Sequence, residues 1–313
     1  MAGITMIKAC FVSLICEAFL HGVYTILCSA AFYLLLRKSR VRRTTPANIL
    51  MIIVTAIMYL AATAHLILSF WTNFVAIFNQ DGAENDGLDT DLNNFRDPKP
   101  YSQIALEMVN YIIGDSVVVW RTWVIWGKNP YIVIFPAACV LGGIVSGIGL
   151  VHSFATVPPG EAIYNTDMVN WFEPYGAFTC AINIYAVAAI SYKTWQNVKQ
   201  HRALGIKMTV GGGSCYGVLL ILIESGIVYC FFLIGAVVLF SAQSSGVYII
   251  TDMLGQVTGI YPTVIIVLVC LKMSWDSTMT STALLTTAQF VQPPMTSTAS
   301  EGQGPTGLHS YDS

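Results

Sequence analysis

The sequence predicts an all-α, polytopic membrane protein: a bundle of seven transmembrane helices with the N-terminus outside and the C-terminus in the cytoplasm. Composition is the first reason. The 313 residues are 55% hydrophobic and only 10% charged, whereas soluble domains carry about 25% charged residues. The second reason is that the apolar residues form long runs, and about 20 helical residues suffice to cross a hydrocarbon core.

Seven such runs follow one another between polar connections. Helices are expected because every backbone polar group in lipid must find its partner within the span or within a closed barrel. The predicted transmembrane domain covers residues 11–272, after a short extracellular N-terminus at residues 1–10. Within it, the predicted spans are 11–36, 47–70, 102–126, 131–155, 174–195, 214–240 and 246–271.

Lysine and arginine set the predicted orientation. The connection after the first span reads RKSRVRR, and the connection after the fifth span is also basic, whereas the loops after the fourth and sixth spans contain neither residue. Positive residues remain cytoplasmic, so the N-terminus is expected outside. A cleaved signal peptide is the alternative interpretation of the first span, but its apolar run continues to Arg37 and exceeds a typical signal-peptide core.

The last part of the chain differs from the rest in composition. Residues 273–313 are rich in Ser, Thr, Pro and Gly and carry little charge. Such a segment has too few apolar residues to form a core. It is therefore predicted to be a disordered cytoplasmic tail.

Two charges stand inside the third span, in the stretch GDSVVVWRTWVIWGK. Asp115 and Arg121 are six residues apart, so they lie about 9 Å apart along a helix and on different faces. Asp115 must be protonated, hydrogen-bonded to a neutral polar group, or directed into a wet cavity. Arg121 has two interpretations: a side chain that extends to the cytoplasmic interface among tryptophans, or a contact that joins the cytoplasmic ends of neighbouring helices.

Polar residues in the other spans concentrate at or above the predicted midplane. Glu17 and His21 share one helix face, four residues apart. His65, Glu107 and His152 are placed nearer the outer face. This asymmetry indicates a polar cavity that opens outward, although interhelical hydrogen bonds alone would also explain it. The candidate cavity residues are Glu17, His21, Asp115, Asn183, Glu224, Asp252 and Gln256.

The whole span pattern, with GDSVVVWRTWVIWGKNP closing the third span, resembles a large set of seven-span integral membrane proteins from basidiomycete fungi. The most specific part is Asp115 followed by Trp120-Arg121, Trp123 and Trp126. This resemblance implies the fold and no activity. The topology is also similar to that of G-protein-coupled receptors, but the third span ends in Trp-Arg-Thr-Trp rather than Asp-Arg-Tyr.

The expected function is therefore that of a receptor-like protein, in the plasma membrane, that senses a small ligand in the outward cavity. Its expected partners are the lipid bilayer, that ligand and a heterotrimeric G protein. The candidate residues for cytoplasmic coupling are Arg121, Lys199, Arg202 and Lys207. No catalytic residue, metal, cofactor or nucleic acid is predicted, since no phosphate-binding or cysteine–histidine zinc motif is present and the net charge is only −2.

Two alternatives remain open at this point. A small-solute or proton-coupled transporter would use Asp115 and Glu224 as protonatable groups. An intramembrane metal-dependent hydrolase would need clustered histidines with an aspartate, and His21, His65, His152 and Asp115 are the residues available for such a site.

Overall fold

The structure, a computed structural model, confirms the all-α class. It describes residues 6–41, 46–78, 98–156, 166–203 and 215–290, and within these ranges it contains helices and no strand. The chain divides into two units, Met1–Met273 and Ser274–Ser313, and the contacts discussed below lie in the first. The helices are α1 Met6–Val41, α2 Pro46–Phe78, α3 Pro98–Ile125, α4 Tyr131–Thr156, α5 Thr166–Ala203, α6 Cys215–Ser241 and α7 Gly246–Phe290.

Six of these helices are long and apolar enough to cross a membrane, judged by length and composition over the described residues. This indicates an integral membrane protein. The helix outside this group is α3, which coincides with the predicted span 102–126. Its buried Glu107, Asn110, Asp115 and Arg121 lower its mean hydropathy.

Helix ends agree with the predicted spans to within a few residues where the connections are short. Predicted span 131–155 corresponds to Tyr131–Thr156, and the helix predicted to begin at residue 246 begins there. The last helix differs, because it continues to Phe290 into the segment predicted to be disordered. No glycine or proline interrupts the sequence between Pro262 and Phe290, so nothing in the backbone ends the helix earlier. Residues 1–5 and 291–313 lie outside the described residues.

The bundle has polar groups inside and apolar groups outside. Glu17, His65 and Asp115 are buried, whereas Phe19, Ile26 and Phe231 are each more than 70% exposed. This arrangement suits a lipid environment, in which ionisable residues face the bundle interior and apolar side chains face the hydrocarbon. A protein folded in water would have the opposite pattern.

The buried face of α1 follows a regular spacing. Its buried positions recur every three or four residues, which places them on one side of the helix. They are Ala9, Ser13, Glu17, His21, Tyr24, Cys28, Ala31 and Leu35. Three of them, Ser13, Glu17 and His21, bring polar groups into the half of the bundle nearer the start of α1, which we call the N-side half.

Helix α3 packs closely on α7 through small residues. A Cβ atom on Gly114 would lie 2.5 Å from Cγ2 of Thr258, so the helices can approach this closely only because the side chain is absent. The side-chain nitrogen of Asn110 donates to the carbonyl oxygen of Gly255 at 2.8 Å. The hydroxyl of Tyr111 donates to the backbone carbonyl oxygen of Thr251, also at 2.8 Å. These hydrogen bonds fix the two helices in register.

Two tight turns mark opposite ends of the bundle. The α3–α4 turn contains Gly127 and Lys128, with φ of 68° and 64°, and the amide of Lys128 donates to the carbonyl of Trp123 at 2.9 Å. Helices commonly end at a residue with left-handed backbone geometry, where an amide donates to a carbonyl of the last helical turn. The α6–α7 turn contains Gln243, with φ of 50°, and lies in the N-side half.

The close approach of α1 and α7 gives a stability prediction. A Cβ atom on Gly259 would lie 2.5 Å from the hydroxyl oxygen of Tyr24, a fully buried side chain. We expect Gly259→Ala to lower the free energy of unfolding in detergent or bicelles by about 1–3 kcal/mol, because the core is overpacked. The matched control is Gly22→Ala on α1, where an added Cβ meets nothing within 4 Å; equal loss in both variants would contradict the packing argument.

Candidate functional site

Four ionisable residues from four helices meet in the N-side half. We call Glu17, His65, Glu107 and Asp252 the acid–histidine cluster; they come from α1, α2, α3 and α7. Nδ1 of His65 lies 2.7 Å from Oε1 of Glu17, and Nε2 of the same ring lies 3.4 Å from Oε1 of Glu107. His65 therefore lies between the carboxyl groups of Glu17 and Glu107.

Uncharged polar groups extend the cluster toward the bundle centre. The amide nitrogen of Gln256 donates to Oε1 of Glu17 at 3.1 Å, and its amide oxygen lies 3.2 Å from Nδ1 of His21. Nε2 of His21 lies 3.4 Å from the hydroxyl of Thr63, and its ring stacks on Tyr59 at 5.4 Å between ring centres. The network thus ties α1, α2 and α7 together.

Asp252 joins the network from the side of α7. The hydroxyl of Ser13 donates to its Oδ2. The ligand atoms of His65, Glu107 and Asp252 all lie within 4.8 Å of one another. Oε1 of Glu107 and Oε2 of Glu17 are buried and have no hydrogen-bond partner among the described residues.

A cavity of about 210 Å³ lies beside the cluster. All seven helices contribute to its wall, each from its N-side half, and His65, Glu107 and Asp252 are part of the lining. Its remaining surface is largely apolar, formed by such residues as Phe154 and Leu233. An engineered cavity of about 150 Å³ is large enough to hold benzene, so this one can hold a somewhat larger molecule.

The structure gives Asp115 a neutral partner. The side-chain nitrogen of Asn183 on α5 donates to Oδ1 of Asp115 at 3.0 Å and also to the carbonyl of Thr179 at 2.9 Å. Both side chains are buried, with about 5% and 4% of their surface exposed. The second of the three possibilities for Asp115, a hydrogen bond to a neutral polar group, is the one observed.

Arg121 does not extend to the interface. It is only 8% exposed, and its guanidinium carbon lies 5.0 Å from the centre of the Tyr261 ring on α7. The hydroxyl of Tyr261 donates to the carbonyl of Leu222 on α6 at 3.2 Å. We call this set of three residues the inner contact; it connects α3, α6 and α7, and Nη1 of Arg121 has no hydrogen-bond partner among the described residues.

The predicted site residues fall into separate places. Glu17, His21, Asp252 and Gln256 are brought together, Asp115 pairs with Asn183, and Arg121 forms the inner contact. Glu224 joins none of these groups, because it lies on the exposed face of α6. It faces outward because the buried positions of α6 around it are Leu222, Gly226 and Tyr229, and residue 224 lies on the opposite side of the helix.

The coupling residues on α5 are less fully described. Lys199 is exposed, and its Nζ lies 5.6 Å from the ring centre of Trp195. It lines a groove of about 380 Å³ between α5 and α6, at the end of the bundle opposite the cavity. The side chain of Arg202 and the whole of Lys207 lie outside the described residues.

Two members of the cluster were recognised in the sequence as polar groups near the outer face but not as site residues. Glu107 lies eight residues before Asp115, about two turns away on a similar face of α3, and that spacing was a usable signal. His65 had no such neighbour on α2. The hydrolase ligand set is not formed, because His65 meets Glu107 and Asp252 instead and His152 is exposed.

Comparison with known proteins identifies no relative of this chain. No family model, curated protein or solved structure matches the chain. The site must therefore be interpreted from its own residues.

The pairing of Asp115 with Asn183 can be tested directly. We expect Asn183→Leu to lower the free energy of unfolding by about 1–2 kcal/mol, because a buried carboxyl group loses its hydrogen bond. The matched control is Ser116→Ala, at an exposed position next to Asp115, which should change stability little. If Asn183→Leu is as stable as the control, the hydrogen bond contributes nothing to the bundle.

A double-mutant cycle separates this bond from general packing. We expect Asn183→Leu to cost much less in an Asp115→Leu background, because the carboxyl group that needs the amide is then absent. Equal costs in the two backgrounds would show that the residues are not coupled.

Proposed function

We propose that this chain is a seven-span receptor of the plasma membrane, which binds a small ligand in the N-side cavity and signals to a cytoplasmic heterotrimeric G protein. The main support for the proposal is that one helix, α3, contributes to both the cavity and the inner contact, which lie apart along its length. Helix α3 supplies Glu107 to the cavity and Arg121 to the inner contact. A ligand that moves α3 at one end would thus disturb the contact at the other.

The proposal makes α3 the seventh span. Its 28 residues extend about 42 Å as a helix, more than a hydrocarbon core of about 30 Å. Glu107, Asp115 and Arg121 are buried among other helices, so lipid would contact the less polar faces of α3. Burial inside a bundle is the usual way in which a polar helix crosses a membrane.

The proposed orientation rests on the positive-inside rule. The basic residues Arg37, Lys193 and Lys199 lie on the ends of α1 and α5 that are opposite the cavity. If that end is cytoplasmic, the cavity opens to the outside, where a receptor meets its ligand. The inner contact then lies in the cytoplasmic half.

The cavity suits a ligand with an apolar body and one polar end. Apolar side chains cover most of the wall, and the acid–histidine cluster offers both hydrogen-bond acceptors and a donor at one place. A small number of polar groups that fix orientation within an apolar pocket is characteristic of small-molecule sites. We propose binding without chemical change of the ligand, so the protein would not be an enzyme.

Coupling would proceed through contacts between helices. Asp115 and Asn183 join α3 to α5 between the cavity and the inner contact. At the cytoplasmic end, the indole nitrogen of Trp126 donates to the carbonyl of Ala189 at 3.2 Å, again between α3 and α5. Movement of α3 would be transmitted to α5, which carries the exposed Lys199 and the basic connection beyond it.

A proton-coupled transporter is the second candidate. The acid–histidine cluster favours it, since it offers several buried groups that can exchange protons within the span. Of the two groups first considered for this role, Asp115 pairs with Asn183 and Glu224 lies on the exposed face of α6. Solute or proton flux in vesicles that contain only this protein would support a transporter, and a receptor would give none.

The inner contact predicts the behaviour of two variants. In nanodiscs with a Gα subunit, we expect Arg121→Ala and Tyr261→Phe to raise basal nucleotide exchange several-fold above wild type. The first removes the cation over the ring, and the second removes the hydroxyl that binds the carbonyl of Leu222. The first variant releases α3 from α7 and the second releases α7 from α6, and each so favours an open cytoplasmic end.

The matched control is Glu224→Gln, which alters an ionisable side chain on the exposed face of α6 and should leave exchange unchanged. Wild type should give low but measurable exchange above Gα alone. If neither inner-contact variant changes exchange while both remain folded, the receptor proposal fails and flux measurements become the next test.

A further inference from the structure

The acid–histidine cluster contains the components of a metal site that the receptor proposal does not require. We propose that His65, Glu107 and Asp252 bind one divalent transition-metal ion, with Zn²⁺ the best fit, at the polar end of the cavity. This inference goes beyond the proposed function, because the ion would bind whether the cavity serves a receptor or a transporter.

The ligand types and their spacing support zinc. Zinc accepts imidazole nitrogen and carboxylate oxygen at about 2.0–2.2 Å in tetrahedral geometry, so two of its ligand atoms lie about 3.4 Å apart. Nε2 of His65 and Oε1 of Glu107 are 3.4 Å apart. The three ligand atoms lie within 4.8 Å of one another, so binding of one ion requires those farther apart to approach one another by up to about 1.4 Å.

The unsatisfied acceptor in the cluster points to a missing partner. Oε1 of Glu107 is buried and has no hydrogen-bond partner among the described residues, and the residue is only 9% exposed. A buried carboxylate oxygen without a hydrogen bond is costly. A cation between Glu107 and His65 would satisfy it.

The surroundings of His65 orient the ring for binding. Its Nδ1 lies 2.7 Å from Oε1 of Glu17. In the tautomer in which Nδ1 donates to that oxygen, Nε2 has a free lone pair and faces Glu107 and the cavity as a ligand atom. A carboxylate on the far nitrogen of a metal-binding histidine is the common supporting arrangement.

The supporting contacts continue outward from the ligands. Gln256 holds Glu17 through the hydrogen bond to its Oε1, and Ser13 holds Asp252. Three protein ligands leave the fourth position of a tetrahedral ion open. Since all three ligands line the cavity, that position faces the space in which a small molecule would bind.

The test uses the full chain in nanodiscs, purified without a polyhistidine tag and stripped with a chelator. Zn²⁺ is added back against a chromophoric competitor, and the zinc content is measured by elemental analysis. We expect one zinc per chain in wild type. His65→Ala and Glu107→Gln should each weaken binding more than about 100-fold, and Glu17→Gln, a positioning change, about 10- to 100-fold.

Matched controls use the same residue types on exposed faces. His152→Ala and Glu224→Gln should retain one zinc with unchanged affinity. The proposal is overturned if wild type binds no zinc, or if the cluster variants bind as much zinc as the controls.

A substitution that exchanges one metal-binding side chain for another tests the site even if the cluster variants fold poorly. Asp252→Cys would place a thiolate at the metal, and Co²⁺ should then give a sulfur-to-cobalt charge-transfer band in the near ultraviolet. Glu224→Cys is the control and should give none. Absence of the band in folded Asp252→Cys would contradict the assignment of Asp252 as a ligand.

Discussion

The structure depends on one constraint: four buried polar side chains of α3 need partners inside the bundle, because they are withdrawn from water. Each of these four side chains contacts another helix. Glu107 meets His65 of α2, Asn110 donates to a carbonyl of α7, Asp115 accepts from Asn183 of α5, and Arg121 lies over Tyr261 of α7. Removal of α3 from this position would take these partners from all four groups, which is costly for polar groups shielded from water. The other helices are therefore arranged around the helix that carries these four groups.

This arrangement places distinct chemistry at the two ends of α3. The N-side half holds ionisable groups and a cavity, and the opposite half holds a cation over an aromatic ring and contacts of Trp126 with α5. The close approach at Gly114 and the side-chain bonds to backbone carbonyls of α7 hold α3 against α7. A packed pair of this kind can transmit a displacement from one end of a bundle to the other if it has two stable positions.

The sequence was sufficient to predict the helices but not which side of each helix faces the bundle interior. Long apolar runs and short polar connections located the helix ends, because lipid requires a minimum length and a continuous apolar stretch. Apolar residues cover all sides of α6, so hydrophobic periodicity could not show that Glu224 lies on the exposed face while Leu222 and Tyr229 lie inside. Arg121 has a stem long enough to reach the interface, and only the position of Tyr261 shows that it remains buried. Partners such as His65 with Glu107 require the relative rotation of two helices, which no local pattern contains.

The claim on which this account rests is that α3 crosses the membrane, and residue accessibility tests it most directly. Single cysteines would replace Lys128 in the α3–α4 turn and Gln243 in the α6–α7 turn, in a cysteine-free background with an N-terminal epitope, and intact cells would be treated with an impermeant maleimide. If α3 crosses as proposed, the epitope and Gln243→Cys are reached from outside and Lys128→Cys reacts only after permeabilisation. If the epitope and Lys128→Cys are both reached from outside while Gln243→Cys is protected, α3 does not cross and the seven-span proposal is wrong. If only Lys128→Cys is reached, α3 crosses but the proposed orientation is reversed.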